Sequence, residues 1–376
     1  MKKILLVTIL ALGLEAQEIA EYLDSCNPQE YLCKSMHQKF DKAISAYRGH
    51  RLKEAIEGFE DIIVFAQKNG LEPAHFYNNL GLAYHYAKQP QKAMEYFNKN
   101  LAYEESKPKQ NIETLISIYN NMGLVYQAKG EMENAIKVVK KSLELALKKG
   151  DSSQIAREYN IVGITLREGG KYDEAIENYQ KAVDIKLKEI PKDYKKILLL
   201  YGDIVGSYQD KKAYDKALEV NQKALKIVEK IHDKNQILKN YLISGFLNLQ
   251  KKDFDKALEF YKKAKKLAIE LYGTDNPDIA NQIYIKMAQC YSKKREFDKS
   301  MQFYEKALKI YQKTLPPKHP AIATTYNSLG VLYKAKGENK KALEFYNKAL
   351  KLAQESFDDN HPIIKMILEN IKLAKR

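Results

Sequence analysis

The chain has 376 residues, of which 45% are hydrophobic and 30% are charged. With 10 prolines and 17 glycines, it has neither the composition of a disordered chain nor the turn density of a many-stranded β protein. Its net charge of +15 comes from 63 lysines and arginines against 48 acidic residues, and only six of the cations are arginines. Lysine scattered among glutamate is typical of a solvated helix face. The composition therefore indicates a globular, helical protein with a basic surface.

The first sixteen residues have the pattern of an export signal. Two lysines precede an apolar run over residues 4–14, and small and polar residues follow up to Ala16. We therefore expect a bacterial signal peptide over residues 1–16 and an exported protein, periplasmic or associated with the outer membrane. An uncleaved anchor in the inner membrane and a cytoplasmic protein are the alternatives, although the apolar run is short for a permanent span.

Residues 17–35 are predicted to form an N-terminal helical cap that contains two of the three cysteines. In an exported protein Cys26 and Cys33 would meet an oxidising compartment, and the Asn-Pro pair between them predicts a helix start that folds one toward the other. A disulfide between them is therefore a hypothesis, and two ordinary thiols are the alternative. Cys290 falls in a predicted helix, where we expect it to pack.

A small residue recurs along the chain at intervals of 38 to 43 residues, and we call this position the anchor. A small side chain at a fixed place in a helix predicts the close approach of a second helix, because a larger one would hold the two apart. The sequence therefore predicts eight structural units, with anchors at Ala55, Ala93, Ala135, Ala175, Ala217, Ala257, Ser300 and Ala342.

Two further positions accompany the anchor. Positions four or seven residues apart lie on one face of a helix. Glycine-containing turns at 129–131, 169–171 and 336–338 separate two helices in each unit. Sixteen residues before the anchor, where the first unit has Lys39, stand Tyr77, Tyr119, Tyr159, Tyr201, Tyr241, Tyr284 and Tyr326. Four residues after this tyrosine come Gly81, Gly123, Gly163, Gly245 and Gly330.

This pattern resembles the tetratricopeptide repeat over about residues 36–352. Units of about 42 residues, with proline in the first turn of a helix after Asn276, His319 and His361, are similar to the kinesin light chain type of array. The resemblance implies an all-α fold, an α-solenoid in which about eight antiparallel helix pairs stack as a right-handed superhelix. Residues 353–376 are then expected to form a C-terminal capping helix.

Motifs for catalysis, metals or cofactors are not apparent in the sequence. Gly169-Gly170-Lys171 lacks the spacing and the hydroxyl residue of a phosphate-binding loop, and the seven histidines never pair at metal-ligand spacing. The tyrosines occupy packing positions, which leaves no obvious platform for stacked bases. We therefore expect a non-catalytic protein with no cofactor, no metal and no specific nucleic acid partner. A basic binder of nucleic acid or membrane surface is an alternative.

The resemblance implies a concave binding groove along the first helices of the pairs. One residue after the tyrosine stand Asn78, Asn120, Asn160 and Asn327, and asparagine at this position holds peptides in the family. Because guanidinium and amide groups suit carboxylates, we expect units two to five to hold an acidic or carboxylate-ended peptide. Exposed polar side chains and surface salt bridges are the structural alternative. Further candidate contacts on the same face are His75, His85, Gln127, Arg157, Arg167 and Lys239.

The expected function is a scaffold for protein–protein interaction that binds a peptide or protein partner in this groove. Export would place that role in envelope assembly or secretion. A cytoplasmic, peptide-responsive regulator built on the same repeat is the alternative reading.

Overall fold

A computed structural model of the chain describes residues 31–358 and 360–375, with side chains from residue 35 onward. The predicted signal peptide, most of the N-terminal cap and Cys26 lie outside these residues, as does the side chain of Cys33. Cleavage and the Cys26–Cys33 disulfide therefore stay predictions. None of the helices in the described part is long and apolar enough to cross a membrane.

The described residues form eight helix pairs and one final helix, without a strand, which confirms the predicted solenoid class. A 3-10 turn, Ala74–Phe76, leads into α3, and α13 consists of Pro277–Ile279, a π-helical segment Ala280–Tyr284, and Ile285–Lys293. The other helices are α1 Tyr31–Arg48, α2 Leu52–Lys68, α3 Tyr77–Tyr86, α4 Pro90–Ser106, α5 Ile112–Ala128, α6 Met132–Lys149, α7 Ser152–Glu168, α8 Tyr172–Lys188, α9 Tyr194–Asp210, α10 Tyr214–Lys230, α11 Lys234–Gln250, α12 Phe254–Tyr272, α14 Phe297–Thr314, α15 Pro320–Ala335, α16 Asn339–Gln354 and α17 Pro362–Lys375.

The chain divides into two compact units, residues 1–203 and 204–376, with the boundary inside α9. In the first unit, each helix from α1 to α8 packs against its neighbour in the chain. In the second unit, α10 to α17 pack in the same sequential way. The sequence showed no linker at this boundary.

The anchor is fully buried in every pair. All eight anchor residues, including Ala55 at one end of the array and Ala342 at the other, have 0% of their surface exposed. Ser300, the one exception to alanine, donates its hydroxyl to the backbone oxygen of Ala288 at 2.7 Å. The hydroxyl is therefore satisfied inside its own helix pair, and the small volume of the position is kept.

The glycine of the first helix makes room for the side chain four residues after the anchor. A Cβ atom at Gly163 would lie 2.7 Å from Cε1 of Tyr179, and one at Gly330 would lie 2.6 Å from the ring of Tyr346. Real side chains do not approach so closely, so these pairs depend on the combination of glycine and ring. Gly81 and Gly245 face Phe97 and Tyr261 in the same way.

The first pair, which lacks the tyrosine and glycine of the first-helix pattern, makes its close helix contact through a different glycine. Its glycine is Gly58 on the second helix, where a Cβ atom would lie 2.9 Å from Cβ of Ala43 on the first. Phe59, next to Gly58, is fully buried. The close approach of the two helices is therefore preserved although the sequence pattern is not.

Each pair turns through one residue in the left-handed region, five residues before the anchor. In the second pair, for example, the amide of Lys88 donates to the oxygen of His85 at 3.0 Å, and that of Gln89 to the oxygen of Tyr84 at 2.9 Å. This is the hydrogen-bond pattern of a Schellman turn. Three of the eight turns use glycine, as the sequence indicated, and five use larger residues. The eight are His50, Lys88, Gly130, Gly170, Lys212, Lys252, Arg295 and Gly337.

Ion pairs connect the turns of successive pairs within the second unit. An aspartate in the first turn of a second helix binds a lysine in the turn of the next pair. Lys294 Nζ lies 2.5 Å from Asp255, and Lys336 Nζ lies 2.7 Å from Asp298. Lys251 and Asp215 form the same contact. These pairs are exposed and contribute little stability each, but they keep neighbouring helices in register.

Helix α17 covers the end of the second unit, as predicted for a capping helix. Ile364, Ile367, Ile371 and Ala374 are buried along one of its faces. Cys290 is fully buried in α13, also as expected. Burial raises the pKa of its thiol to about 12, so the thiol stays protonated at physiological pH.

Candidate functional site

The candidate site lies on α3, α5 and α7 of the first unit, and we call it the first-helix face. It consists of the predicted groove residues of these three helices and of the side chains bonded to them. Asn78 on α3 is buried, with 3% of its surface exposed. Its Oδ1 accepts a hydrogen bond from Asn121 Nδ2 at 3.0 Å, and its Nδ2 lies 3.4 Å from Ser117 Oγ. Asn78 therefore connects two neighbouring repeats.

Asn120 on α5 makes a second connection, to the next repeat on α7. Its Nδ2 donates to Glu158 Oε2 at 2.9 Å. The hydroxyl of Ser142 lies 2.8 Å from Asn120 Oδ1 and 3.0 Å from the same carboxylate oxygen. The backbone oxygen of Val139 also lies 2.8 Å from this hydroxyl. Because a hydroxyl has one proton, Ser142 donates to one of the three acceptors at a time.

Glu158 is a buried carboxyl group at the centre of this cluster. None of its side-chain surface is exposed, and Arg157 Nε lies 3.2 Å from its Oε1. Burial raises the pKa of Glu158, while the Arg157 charge and the hydrogen bonds from Asn120 and Ser142 act in the opposite direction. The arginine itself keeps 30% of its side chain exposed.

Two further predicted residues also join neighbouring helices. Gln127 Nε2 on α5 donates to Thr165 Oγ1 on α7 at 2.9 Å. In the second unit, Asn327 is buried and accepts a hydrogen bond from Asn370 Nδ2 of the capping helix at 3.0 Å. Three of the four predicted asparagines thus hold repeats together, which is a structural role that the resemblance did not imply.

Asn160 on α7 differs from the other three asparagines. Its Oδ1 is buried without a hydrogen-bond donor, and no side-chain hydrogen bond links Asn160 to any residue that the structure describes. It stands three residues after Arg157, on the same helix face. Its Nδ2 is not among the buried atoms and is therefore available to donate to a partner molecule, whereas Nδ2 of Asn120 already donates to Glu158.

The remaining predicted residues lie around this face or elsewhere in the chain. His75 is half-buried with its ring 6.3 Å from that of Tyr103, and burial together with the charge of Lys107 lowers its pKa. Burial also lowers the pKa of His85, so both histidines are neutral at neutral pH. Arg167 is half-buried near the end of α7. Lys239 is an exposed residue of α11 in the second unit.

Comparison with known families identifies the repeat. One tetratricopeptide repeat profile matches residues 114–188 and 279–355, and a second matches residues 74–106 and 238–268. Together the matches cover more than half of the chain. The chain is a tetratricopeptide repeat protein. No curated protein matches it in sequence.

Several solved structures resemble the fold of this chain. A signal transduction ATPase with a tetratricopeptide repeat sensor from Pyrococcus horikoshii is 17% identical with a TM-score of 0.57, over 97% of this chain and 55% of that one. The apo form of the quorum sensor NprR from B. thuringiensis is 14% identical with a TM-score of 0.51, over 93% and 97%. Kinesin light chain-like repeats from Podospora anserina are 17% identical with a TM-score of 0.47, over 56% and 100%.

Glu158 and Ser142 are the residues of the face that the sequence analysis missed. Both were visible as departures of this tetratricopeptide repeat protein from its own pattern. Ser142 stands seven residues after an anchor, where the last five pairs have alanine. Glu158 stands directly before the repeat tyrosine, where Phe76, Ile118 and Leu200 are apolar. No group of three or more metal-binding side chains occurs in the described part of the chain.

Proposed function

We propose that this tetratricopeptide repeat protein binds an extended peptide, or an extended segment of a protein, on the first-helix face and does not catalyse a reaction. The observation that carries the proposal is Asn160, whose amide has no hydrogen-bond partner among the described residues. Because Oδ1 of Asn160 is buried, the amide nitrogen is the group that can reach a ligand, and it can donate to a peptide carbonyl without reading the peptide's side chains.

Arg157 supports an acidic or carboxylate-ended ligand. Its single ion pair among the described residues uses Nε, which leaves the two terminal nitrogens of the guanidinium group for another acceptor. Since these nitrogens form charge-assisted hydrogen bonds with carboxylates, we expect a ligand carboxylate beside Arg157. The buried Glu158 fixes the arginine from its other side.

The cellular location of this binding activity is also part of the proposal. The export pattern of residues 1–16 supports a scaffold for envelope assembly or secretion. The resemblance in fold to proteins described as a quorum sensor and as a repeat sensor supports the alternative, a peptide-responsive regulator in the cytoplasm. Both settings use the same first-helix face, and the N-terminal residue of the protein isolated from its native cells separates them.

The experiment is peptide selection with the full chain, using random peptides with a free C-terminal carboxylate, followed by titration of the selected peptide. We expect Asn160→Ala and Arg157→Gln each to weaken binding about tenfold, which corresponds to about 1.4 kcal/mol. Amidation of the peptide should weaken binding to the unchanged protein and have little further effect on the Arg157→Gln variant.

The matched control is Asn134→Ala, which removes an exposed asparagine from the second helix of the neighbouring pair. This variant should bind as the unchanged protein does. Equal affinity of all three variants for the selected peptide would contradict the proposed site.

A further inference from the structure

The positive charge of the chain is concentrated in the second unit. Residues 204–376 contain 34 lysines and arginines against 20 aspartates and glutamates, which gives a formal charge of +14. Residues 1–203 contain 29 and 28, which gives +1. The excess of lysine and arginine therefore lies in the second unit, and its role must be sought in that unit.

Twelve lysines of the second unit form three rows across its second helices, α10, α12, α14 and α16, and we call them the lysine rows. They stand one residue before, six residues after and nine residues after the anchor, and all twelve are exposed. The rows are Lys216, Lys256, Lys299 and Lys341; then Lys223, Lys263, Lys306 and Lys348; then Lys226, Lys266, Lys309 and Lys351.

The first unit shows that the repeat does not require these lysines. Its second helices, α2, α4, α6 and α8, have four lysines and five acidic residues at the same twelve positions. The contrast is greatest nine residues after the anchor, where the first unit has Val64, Ala102, Glu144 and Asp184. Because both units fold into the same helix pairs, the rows serve something other than the fold.

The register of the helices places the rows side by side. The ion pairs of Lys294 with Asp255 and of Lys336 with Asp298 hold the starts of successive second helices together. The row nine residues after the anchor therefore runs across four successive second helices, with one lysine on each. None of its four lysines forms an ion pair with a carboxylate that the structure describes. All four lysines are exposed and can reach a partner, although Lys266 also lies near Glu270, whose carboxylate binds Lys234.

We propose that the lysine rows bind the phosphate backbone of double-stranded nucleic acid without reading its sequence. A line of flexible point charges fits a linear polyanion, whereas reading bases in a groove favours arginine, and the second unit has only Arg295 and Arg376. This inference is independent of the peptide site, since it concerns the other unit and the second helices.

The surroundings of the rows favour a duplex over single strands and membranes. The rings nearest to the rows are half-buried beneath lysines: Lys306 Nζ lies 5.1 Å from the centre of the Phe303 ring, and Lys348 Nζ 5.2 Å from that of Phe345. Covered rings cannot stack with unpaired bases. Among the described residues of these four helices, Tyr272 at the end of α12 is the only large apolar residue that is exposed, so the rows offer no side chain for insertion into a bilayer.

The test is binding of the full chain to a DNA duplex of about 20 base pairs, measured by fluorescence anisotropy over a range of salt concentrations. In the test variant, Lys226, Lys266, Lys309 and Lys351 are changed to Gln. We expect its affinity at low salt to fall at least tenfold, and the slope of log K against log salt to decrease by about 3, since each phosphate contact contributes about 0.9. A duplex of unrelated sequence should bind equally well.

The control variant changes Lys92, Lys99, Lys141 and Lys181 of the first unit to Gln, which removes the same charge from equivalent helices. Lysine and glutamine have similar helix propensities, so both variants should melt like the unchanged protein. Equal losses in the two variants would overturn the proposal, as would no binding of the duplex. Binding to phosphatidylserine vesicles or to polyglutamate, without binding to the duplex, would also overturn it and assign the rows to that partner.

Discussion

Tyr179 lies directly over Gly163, with Cε1 of the ring 2.7 Å from the point where a Cβ atom of residue 163 would stand. The ring is 1% exposed and the glycine is buried. One residue on each helix thus sets how closely the fourth pair can pack.

Gly163→Ala should therefore destabilise the first unit by about 1–3 kcal/mol, because the new methyl group displaces a buried ring. The matched control is Gly202→Ala, whose Cβ would meet nothing within 4 Å and which should stabilise helix α9 by about 0.5–1 kcal/mol. Urea unfolding of both variants checks the opposite signs.

Asn78 and Asn160 should separate structural from binding roles. Asn78→Ala leaves the buried Nδ2 of Asn121 without its acceptor, and we expect a loss of about 1–3 kcal/mol in the free energy of unfolding without any ligand. Asn160→Ala breaks no hydrogen bond with a described residue and should cost less than about 0.5 kcal/mol. If thermal unfolding showed the two variants to be equally destabilised, the assignment of these roles would be wrong.

Replacing a non-glycine residue in a left-handed turn with glycine should raise the stability of the protein. Lys88 has φ of 59°, a conformation that strains a residue with a Cβ atom. Lys88→Gly should stabilise the second pair by about 0.5–1 kcal/mol, after the greater entropy of glycine in the unfolded chain is subtracted. The reverse change at the equivalent turn, Gly130→Ala, should destabilise the third pair. Chemical denaturation measures both, and a gain on Gly130→Ala would contradict the geometry.

Glu158 should make the stability of the first unit depend on pH. Burial raises the pKa of its carboxyl group above the value in the unfolded chain, so the folded state holds the proton more tightly. The contribution of this group is therefore greatest below the unfolded pKa and is lost as the pH rises through the folded pKa.

The variant that isolates this effect is Glu158→Gln, which keeps the shape of the side chain and cannot ionise. The melting temperature of the unchanged protein, relative to that of the variant, should fall between pH 4 and pH 8. A difference that stays constant over this range would show that Glu158 does not titrate with a raised pKa.

The array could be predicted from the sequence because its packing rests on repeated single residues. The buried anchors, the glycine opposite each ring, and the prolines that begin α15 and α17 all recur at nearly constant spacing. The close contact of the first pair was not predicted because its glycine, Gly58, stands on the second helix, where the repeat pattern specifies no small residue. Five of the eight turns escaped it because a lysine, histidine or arginine in the left-handed region looks like any other surface residue of its type.

The candidate site was less predictable, because its residues act across repeats. Asn120 lies on the first-helix face, but its contacts depend on Ser142 and Glu158, which stand 22 and 38 residues away. No pattern in the neighbouring sequence indicates that, of the four asparagines, Asn160 is the one without a side-chain hydrogen bond to the described residues. The uneven charge of the two halves was present in the composition, but only the positions of the helices show that the lysines fall into rows.

The same hydrogen bond between two asparagine side chains joins repeats in both units. Asn121 donates to Asn78 across 43 residues in the first unit, and Asn370 donates to Asn327 across 43 residues in the second. The final helix is thus attached as though it began another repeat. A protein whose repeats are joined by the same hydrogen bond can lengthen by duplication of an internal pair, since the inserted copy would find a matching asparagine on each side. The number of pairs would then follow from the length of the partner that the surfaces bind. The hydrogen bonds between repeats set no limit on that number.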